Sequence, residues 1–230
     1  PAMSGNPTSP LTPDNEPMLN PDDFAYYSPR DIDGDGRDDI VHAQDQDGVS
    51  QLFYLDDGGE VTLREVDSDG DGTYDTQQHT INEATTQFSR DTSGDGTFDT
   101  VSYVDTETGA TLQQDHFTVD GTRTESRLDT DGDGTTDIIL RDTTGDGEFD
   151  EVNLDTDNDG WVNTRLVDTD GDGEFDELHY DADNRDGVLE TVLTLDDLPG
   201  GLGSVSDFTE YEIDQPVQDS ELPDTFDGSL

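Results

Sequence analysis

The chain has 230 residues, 60 of them acidic and 9 basic, and a formal net charge of -51. Every basic residue is arginine, and 46 of the 60 acids are aspartate. This composition excludes several classes. No stretch approaches the ~20 apolar residues of a membrane-spanning helix. A chain this acidic repels phosphate backbones, which argues against a nucleic-acid partner. With no cysteine, there is no disulfide framework, zinc–thiolate site or thiol nucleophile. Apolar residues make up 27%, too few for a conventional large core, so composition alone reads as disordered unless something neutralises the aspartates and pins the loops.

In chain order, residues 1–23 carry Pro7, Pro10, Pro13, Pro17 and Pro21 among small polar residues and read as a disordered, proline-rich lead-in. The opening Pro1-Ala2-Met3-Ser4-Gly5 has no charged segment followed by an apolar one and reads as a mature chain. Residues 24–195 read as the ordered domain. Residues 196–230 read as an acidic tail, partly disordered, in which Phe208, Tyr211 and Ile213 are placed to add a strand or dock on the body.

Within the ordered part the chain repeats itself. Seven nine-residue segments align without gaps, starting at Asp31, Asp67, Asp91, Asp129, Asp142, Asp155 and Asp168, on the pattern D-x-D-G-D-G-x-x-D. The starts from 129 onward are 13 residues apart, and the earlier gaps of 36, 24 and 38 are close to whole multiples of that period. The skipped units survive as turn signals at Asp47-Gly48, Asp57-Gly58, Thr108-Gly109 and Asp120-Gly121; the unit near 80–86 has no glycine. About thirteen units therefore run from 31 to 194.

Nine loop residues in a 13-residue period leave four. Four residues are barely one helical turn, which excludes flanking helices. The segments Phe98–Val104, Thr136–Leu140, Phe149–Leu154, Phe175–Tyr180 and Leu189–Leu195 are rich in β-branched and aromatic residues and bounded by Gly and Asp, the signature of strands. The expected fold is all-β: strand-plus-loop repeats in an antiparallel meander, with a β-solenoid of two strands per coil as the alternative.

The loop pattern has a chemical reading. Hard divalent cations take oxygen ligands, six to eight for Ca2+. Alternating acids at loop positions 1, 3 and 5 direct side-chain oxygens at one point: Asp31, Asp33 and Asp35; Asp67, Asp69 and Asp71; Asp91, Ser93 and Asp95; Asp129, Asp131 and Asp133; Asp142, Thr144 and Asp146; Asp155, Asp157 and Asp159; Asp168, Asp170 and Asp172. Position 7 offers a backbone carbonyl, from Arg37, Thr73, Thr97, Thr135, Glu148, Trp161 and Glu174. Gly36, Gly72, Gly96, Gly134, Gly147, Gly160 and Gly173 hold position 6, where the chain must turn sharply. The bidentate Glu that closes helical calcium loops at position 12 is missing. Closure falls instead to position 9, on Asp39, Asp75, Asp99, Asp137, Asp150, Asn163 and Asp176, expected as the first residue of the following strand.

An eighth site is expected at Asp181, Asp183, Asp186 and Glu190, with one inserted residue. Ser93 and Thr144 place a neutral oxygen where the other loops have a charge, so those two loops are expected to bind more weakly. Positions 1, 3, 5 and 9 make 28 places, and all but Ser93, Thr144 and Asn163 are acidic, 25 in total. Seven divalent ions would bring the charge from -51 to -37. Generic acidity of a saline habitat would be scattered, whereas these acids are in phase.

These loops resemble the short calcium loops of thrombospondin type 3 repeats, of related bacterial surface proteins and of integrin-type propellers, and are EF-hand-like in ligand spacing. The resemblance covers the seven loops and their tandem spacing. The chain lacks the cysteines and spacers of thrombospondin repeats, so what carries over is the metal chemistry. The resemblance implies a Ca2+-dependent structural or adhesive module of a secreted or cell-surface protein, with another surface protein or a glycan as its partner class. A cation-buffering acidic protein is the alternative. No phosphate loop, nucleophile elbow or zinc motif is present, and the chain is not expected to be an enzyme. Tyr74, Phe98, Phe149 and Phe175 at position 8 read as packing residues, Trp161 as partly packed, and the four histidines share no spacing for a metal.

Overall fold

The computed structural model describes residues 19–181, 188–194, 201–209, 211 and 213. Its strands are β1 (Tyr26–Arg30), β2 (Ile40–Gln44), β3 (Ser50–Leu55), β4 (Val61–Asp67), β5 (Thr76–Asn82), β6 (Thr85–Arg90), β7 (Thr100–Asp105), β8 (Thr111–Phe117), β9 (Arg123–Leu128), β10 (Ile138–Arg141), β11 (Glu151–Leu154), β12 (Thr164–Val167), β13 (Glu177–Tyr180) and β14 (Thr191–Thr194). They form one sheet in sequence order, each strand antiparallel to the next. This is the expected meander; every pairing joins sequence neighbours, so no solenoid coil is formed. The unit without glycine near 80–86 is the tight connection between β5 and β6.

The strands begin two residues later than the sequence suggests, and position 9 is not the first strand residue but the one before it. The cause lies in the loop. The position-9 N–H closes the loop onto the carbonyl just before position 1, at 2.8–3.0 Å in all seven copies, from Asp39 on Arg30 to Asp176 on Val167. Its side chain folds back into the loop, and regular strand geometry starts after it.

Registration across the sheet fixes which residues share a face, because directly paired residues project to the same side. One row runs Val41, Phe53, Arg64, Gln78, Phe88, Ser102, Gln114, Arg127, Ile139, Asn153, Arg165 and His179. The opposite face carries His42, Leu52, Glu65, Gln77, Ser89, Val101, Asp115, Ser126, Leu140, Val152, Leu166 and Leu178. The first row starts apolar and ends charged; the second starts polar and ends apolar. The buried face of the sheet therefore changes sides along the chain.

Each apolar patch is covered by the chain end nearest to it. On the first face, Val41, Ala43 and Phe53 pack with Leu19, Phe24 and Tyr27. The covering segment is shaped by a 3-10 turn, Pro21–Asp23, with Asn20 as its cap. On the second face, Leu128, Ile138, Leu140, Val152, Leu166 and Phe175 form a larger cluster with Leu202, Val205 and Phe208 against it. That segment is tied down by backbone bonds from Phe175 to Gly203 (3.1 Å) and from Val205 to Gly173 (3.2 Å). It ends in a single helical turn, α1 (Ser206–Thr209). Further on, the Ile213 N–H donates to Gln113 Oε1 at 2.7 Å.

Between the patches the interior is mostly polar, around the two buried apolar side chains Val101 and Tyr103 of β7. Gln78, Thr86, Ser89, Gln113, Asp115 and Ser126 are all buried. Gln113 donates to both Asp115 oxygens at 3.0 and 2.9 Å, which keeps that buried carboxylate hydrogen-bonded. Where the first face turns charged, Glu125 lies between Arg127 (2.6 Å) and Arg141 (2.8 Å), and Glu151 between Arg141 (3.5 Å) and Arg165 (3.9 Å).

Candidate metal centres

All seven nine-residue loops connect consecutive strands and share one hydrogen-bond scheme. The position-1 carboxylate accepts from the position-6 glycine N–H at 2.7–3.0 Å. In six loops its other oxygen accepts from the position-4 N–H at 2.5–2.8 Å. The position-5 carboxylate accepts from the position-7 N–H at 2.7–2.9 Å. The position-9 side chain accepts from the position-2 N–H at 2.6–3.2 Å. Position 6 has φ of 87–96° in every copy, left-handed backbone that favours glycine. Around it no atom lies within 4 Å of an added Cβ in six of the copies, so conformation, not space, demands the glycine.

In five loops this scheme brings three carboxylates together, with one oxygen of each within 4.8 Å of the others: Asp31, Asp33 and Asp39; Asp67, Asp69 and Asp71; Asp129, Asp131 and Asp137; Asp155, Asp157 and Asp159; Asp168, Asp170 and Asp176. Two oxygens bound to one Ca2+ at its usual bond length are at most about 4.6–5.2 Å apart, so each set fits a shared hard cation. Positions 1 and 3 contribute every time. The third member is position 5 in the loops at 67 and 155, and position 9 in those at 31, 129 and 168. Asp35, Asp75, Asp133 and Asp172 stand outside the triplets. Asn163 donates its side-chain amide to Asp157 Oδ1 at 3.1 Å.

The loops at 91 and 142 form no such triplet among the described residues. Ser93 and Thr144 hydrogen-bond the position-1 carboxylate at 3.2 and 3.4 Å, leaving Asp91, Asp95 and Asp99, and Asp142, Asp146 and Asp150, around a neutral oxygen. In the expected eighth site Asp181 is buried and Glu190 exposed; Asp183 and Asp186 lie outside the described residues. At position 7 the side chains of Arg37, Thr73, Thr97, Thr135, Glu148 and Glu174 face the surface to varying degrees, and Trp161 is 67% exposed, not partly packed. Of the position-8 residues, Phe175 is fully buried and Phe149 packs beside its cluster, under the Arg123 guanidinium at 4.7 Å.

Titration shifts run in both directions within the loops, and Asp176 of a three-carboxylate set is itself lowered, first by its hydrogen bond from the Thr169 hydroxyl. Partial desolvation works against ionisation of Asp91, yet the N–H groups of Gly96 and Gly94 and the Ser93 hydroxyl bring its carboxyl below the ordinary value. Asp142 is lowered in the same way, by Gly147 and Gly145 against desolvation. Asp170, in a three-carboxylate loop, is raised, first by the charge of Asp172 and then by Asp176. Like charges held this close favour a proton or a cation among them.

Two positions carry structure that the D-x-D-G-D-G-x-x-D pattern does not express. Position 2 is Ser or Thr in six of seven loops, and its hydroxyl donates to the position-9 side chain: Ser68 to Asp75, Thr92 to Asp99, Thr130 to Asp137, Thr143 to Asp150, Thr156 to Asn163 and Thr169 to Asp176. Loops on one edge of the sheet are also joined by backbone. The position-1 N–H donates to the position-9 carbonyl of the preceding loop on that edge: Asp91 to Asp75 (2.9 Å), Asp155 to Asp137 (2.9 Å), Asp168 to Asp150 (2.9 Å) and Asp181 to Asn163 (3.0 Å). The repeated Ser/Thr was the available signal for the first; the second needs the register.

Fold and loops together define a class: an all-β repeat protein whose strand connections hold acidic groups fit for metal ions. No protein-family model matches the chain, and no curated protein is similar to it. Among the described residues no helix is long and apolar enough to cross a membrane.

Proposed function

We propose that the protein is a calcium-binding structural repeat module of a secreted or cell-surface protein, in which Ca2+ ions at the strand connections rigidify the sheet. The observation that carries this reading is the recurrence in five loops of three convergent carboxylates, two of them always from positions 1 and 3. Position 1, position 3 and position 5 or 9 would hold the ion, with the position-7 carbonyl as a further oxygen. The ion supplies positive charge where aspartates crowd; the chain supplies turn geometry through its glycines. Occupied loops tie each strand to the next, which suits a stiff spacer or adhesive segment.

Calorimetric titration with Ca2+ tests this directly. The expected stoichiometry is at least five, with affinities in the roughly 10⁻⁴–10⁻³ M range of extracellular modules. Asp69→Ala is expected to lower it by one, and an unchanged stoichiometry contradicts the assignment of that loop. Weak, independent binding that leaves folding untouched would favour the cation-buffering reading.

A further inference from the structure

At position 4 six loops carry glycine, with φ of 74–84°, and the loop at 155 carries Asn158, with φ of 58°. Asn158 is the one non-glycine residue with positive φ among the described residues. Left-handed backbone costs a side chain roughly 1 kcal/mol even where asparagine tolerates it better than most. The side chain that replaces the glycine reaches out of its own loop: Asn158 Nδ2 donates to Asp133 Oδ2 at 2.7 Å. Asp133 is position 5 of the loop at 129, which lies on the same edge of the sheet, one strand pair away. The same two loops share the backbone bond from Asp155 N–H to the Asp137 carbonyl, 2.9 Å.

We propose that Asn158 is a positioning residue that couples cation binding in the 155–163 loop to cation binding in the 129–137 loop. The proposal rests on the calcium reading and concerns the regulation of those sites. Asp133 is not in the carboxylate set of the 129 loop, but an ion that takes the Thr135 carbonyl fixes residue 135, whose N–H holds Asp133 Oδ1 at 2.7 Å; Asp133 in turn orders Asn158 and the turn at 158–160 that aims Asp159. The binding of either ion therefore favours the other, by the same factor in both directions. The opposite edge holds a natural control. The loops at 142 and 168 have the same spacing and the same backbone rung (Asp168 to Asp150, 2.9 Å), but glycines at position 4, Gly145 and Gly171, and so no side-chain link.

Trp161 makes the test site-specific. It is the protein's one tryptophan, it sits at position 7 of the 155 loop, and its backbone N–H donates to Asp159 Oδ1 at 2.9 Å. Its emission reports that loop during a Ca2+ titration of the full chain. Asp131→Ala, which disables the neighbouring loop at an exposed position, is expected to raise the Trp161 midpoint roughly two- to fivefold, the scale of an exposed charged contact. Asp170→Ala on the opposite edge, which registers any shift carried by Ca2+-linked folding of the sheet as a whole, is expected to move it less. Asn158→Gly, which restores the residue the other loops use, is expected to remove most of the Asp131→Ala shift. A midpoint that ignores Asp131→Ala, or a shift that persists undiminished in the Asn158→Gly background, overturns the coupling while leaving the calcium reading intact. A Trp161 signal that does not respond to Ca2+ in the unaltered protein overturns both.

Discussion

The two ends of this sheet solve the same problem in opposite ways. From β9 to β13, nine-residue loops follow one another without interruption, and the strands β10 to β14 are four residues each. Before that, one or two plain turns separate successive acidic loops, and strands β3 to β9 run six or seven residues. A four-residue strand offers two side chains to a face. In the tandem end those are mostly Leu, Val and Ile, gathered on the second face under the 202–208 segment. In the early end the first face is apolar only over β2 and β3, under Leu19 and Phe24. The middle strands bury mainly glutamines, threonines and serines, with Val101 and Tyr103 of β7 as the apolar members. Short strands thus concentrate apolar residues where acidic loops are densest, and long strands rely on hydrogen bonds.

The comparison is broken most severely by hollowing the tandem end. Leu140→Ala, at a fully buried position, is expected to cost about 2–5 kcal/mol in denaturant unfolding. Val41→Ala in the smaller cluster removes fewer atoms and is expected to cost less; equal losses would mean the two patches carry equal weight. Next in size is the loop backbone. Gly134→Ala forces a side chain into φ of 91° and is expected to cost about 1–2 kcal/mol, visible as a lower melting temperature.

The charged side of the tandem end can be tested by pH. Desolvation works against ionisation of Glu125, but the hydrogen bonds from Arg141 and Arg127 outweigh it and its carboxyl lies below the ordinary value. A carboxyl lowered in the folded state stabilises the fold above its unfolded pKa and loses that contribution as pH falls through the folded one. Glu125→Gln is therefore expected to destabilise the protein at neutral pH and to match it once Glu125 is protonated in the folded state. A difference that stays constant down to that pH contradicts the ion-pair explanation. The smallest effect is expected at position 2, where Thr130→Val removes the hydroxyl bond to Asp137 (2.6 Å). About 0.5–1 kcal/mol is expected, at the low end for an exposed hydrogen bond; Ile32 already stands at this position in the first loop.

Much of this was legible in the residues. A 13-residue period minus nine loop residues leaves four, and four is the length of β10 to β14. The glycines at position 6 announced the turn, and Ser93 and Thr144 marked the two loops without a carboxylate triplet. The change of buried face was not legible. Val41 and Leu140 look alike in sequence; only the pairing of every strand between them shows that they face opposite ways. The coverage of each face by an end segment was legible only in part: Phe208 stood out as a residue placed to dock on the body, and it packs on the second cluster, whereas Leu19 and Leu202 sit in segments that read as disordered. Asn158 takes the place of glycine at position 4, and nothing in the pattern shows that its side chain reaches Asp133 in the neighbouring loop.

The most direct test of the account is far-UV circular dichroism followed from chelator through a Ca2+ titration, repeated with Na+ at matched ionic strength. With 60 acids against 9 arginines, the account predicts a cooperative gain of β-sheet signal with Ca2+ that Na+ does not reproduce. A full sheet spectrum already present in chelator and unchanged by Ca2+ would contradict it, and would leave the two packed faces and the loop hydrogen bonds as the source of the fold.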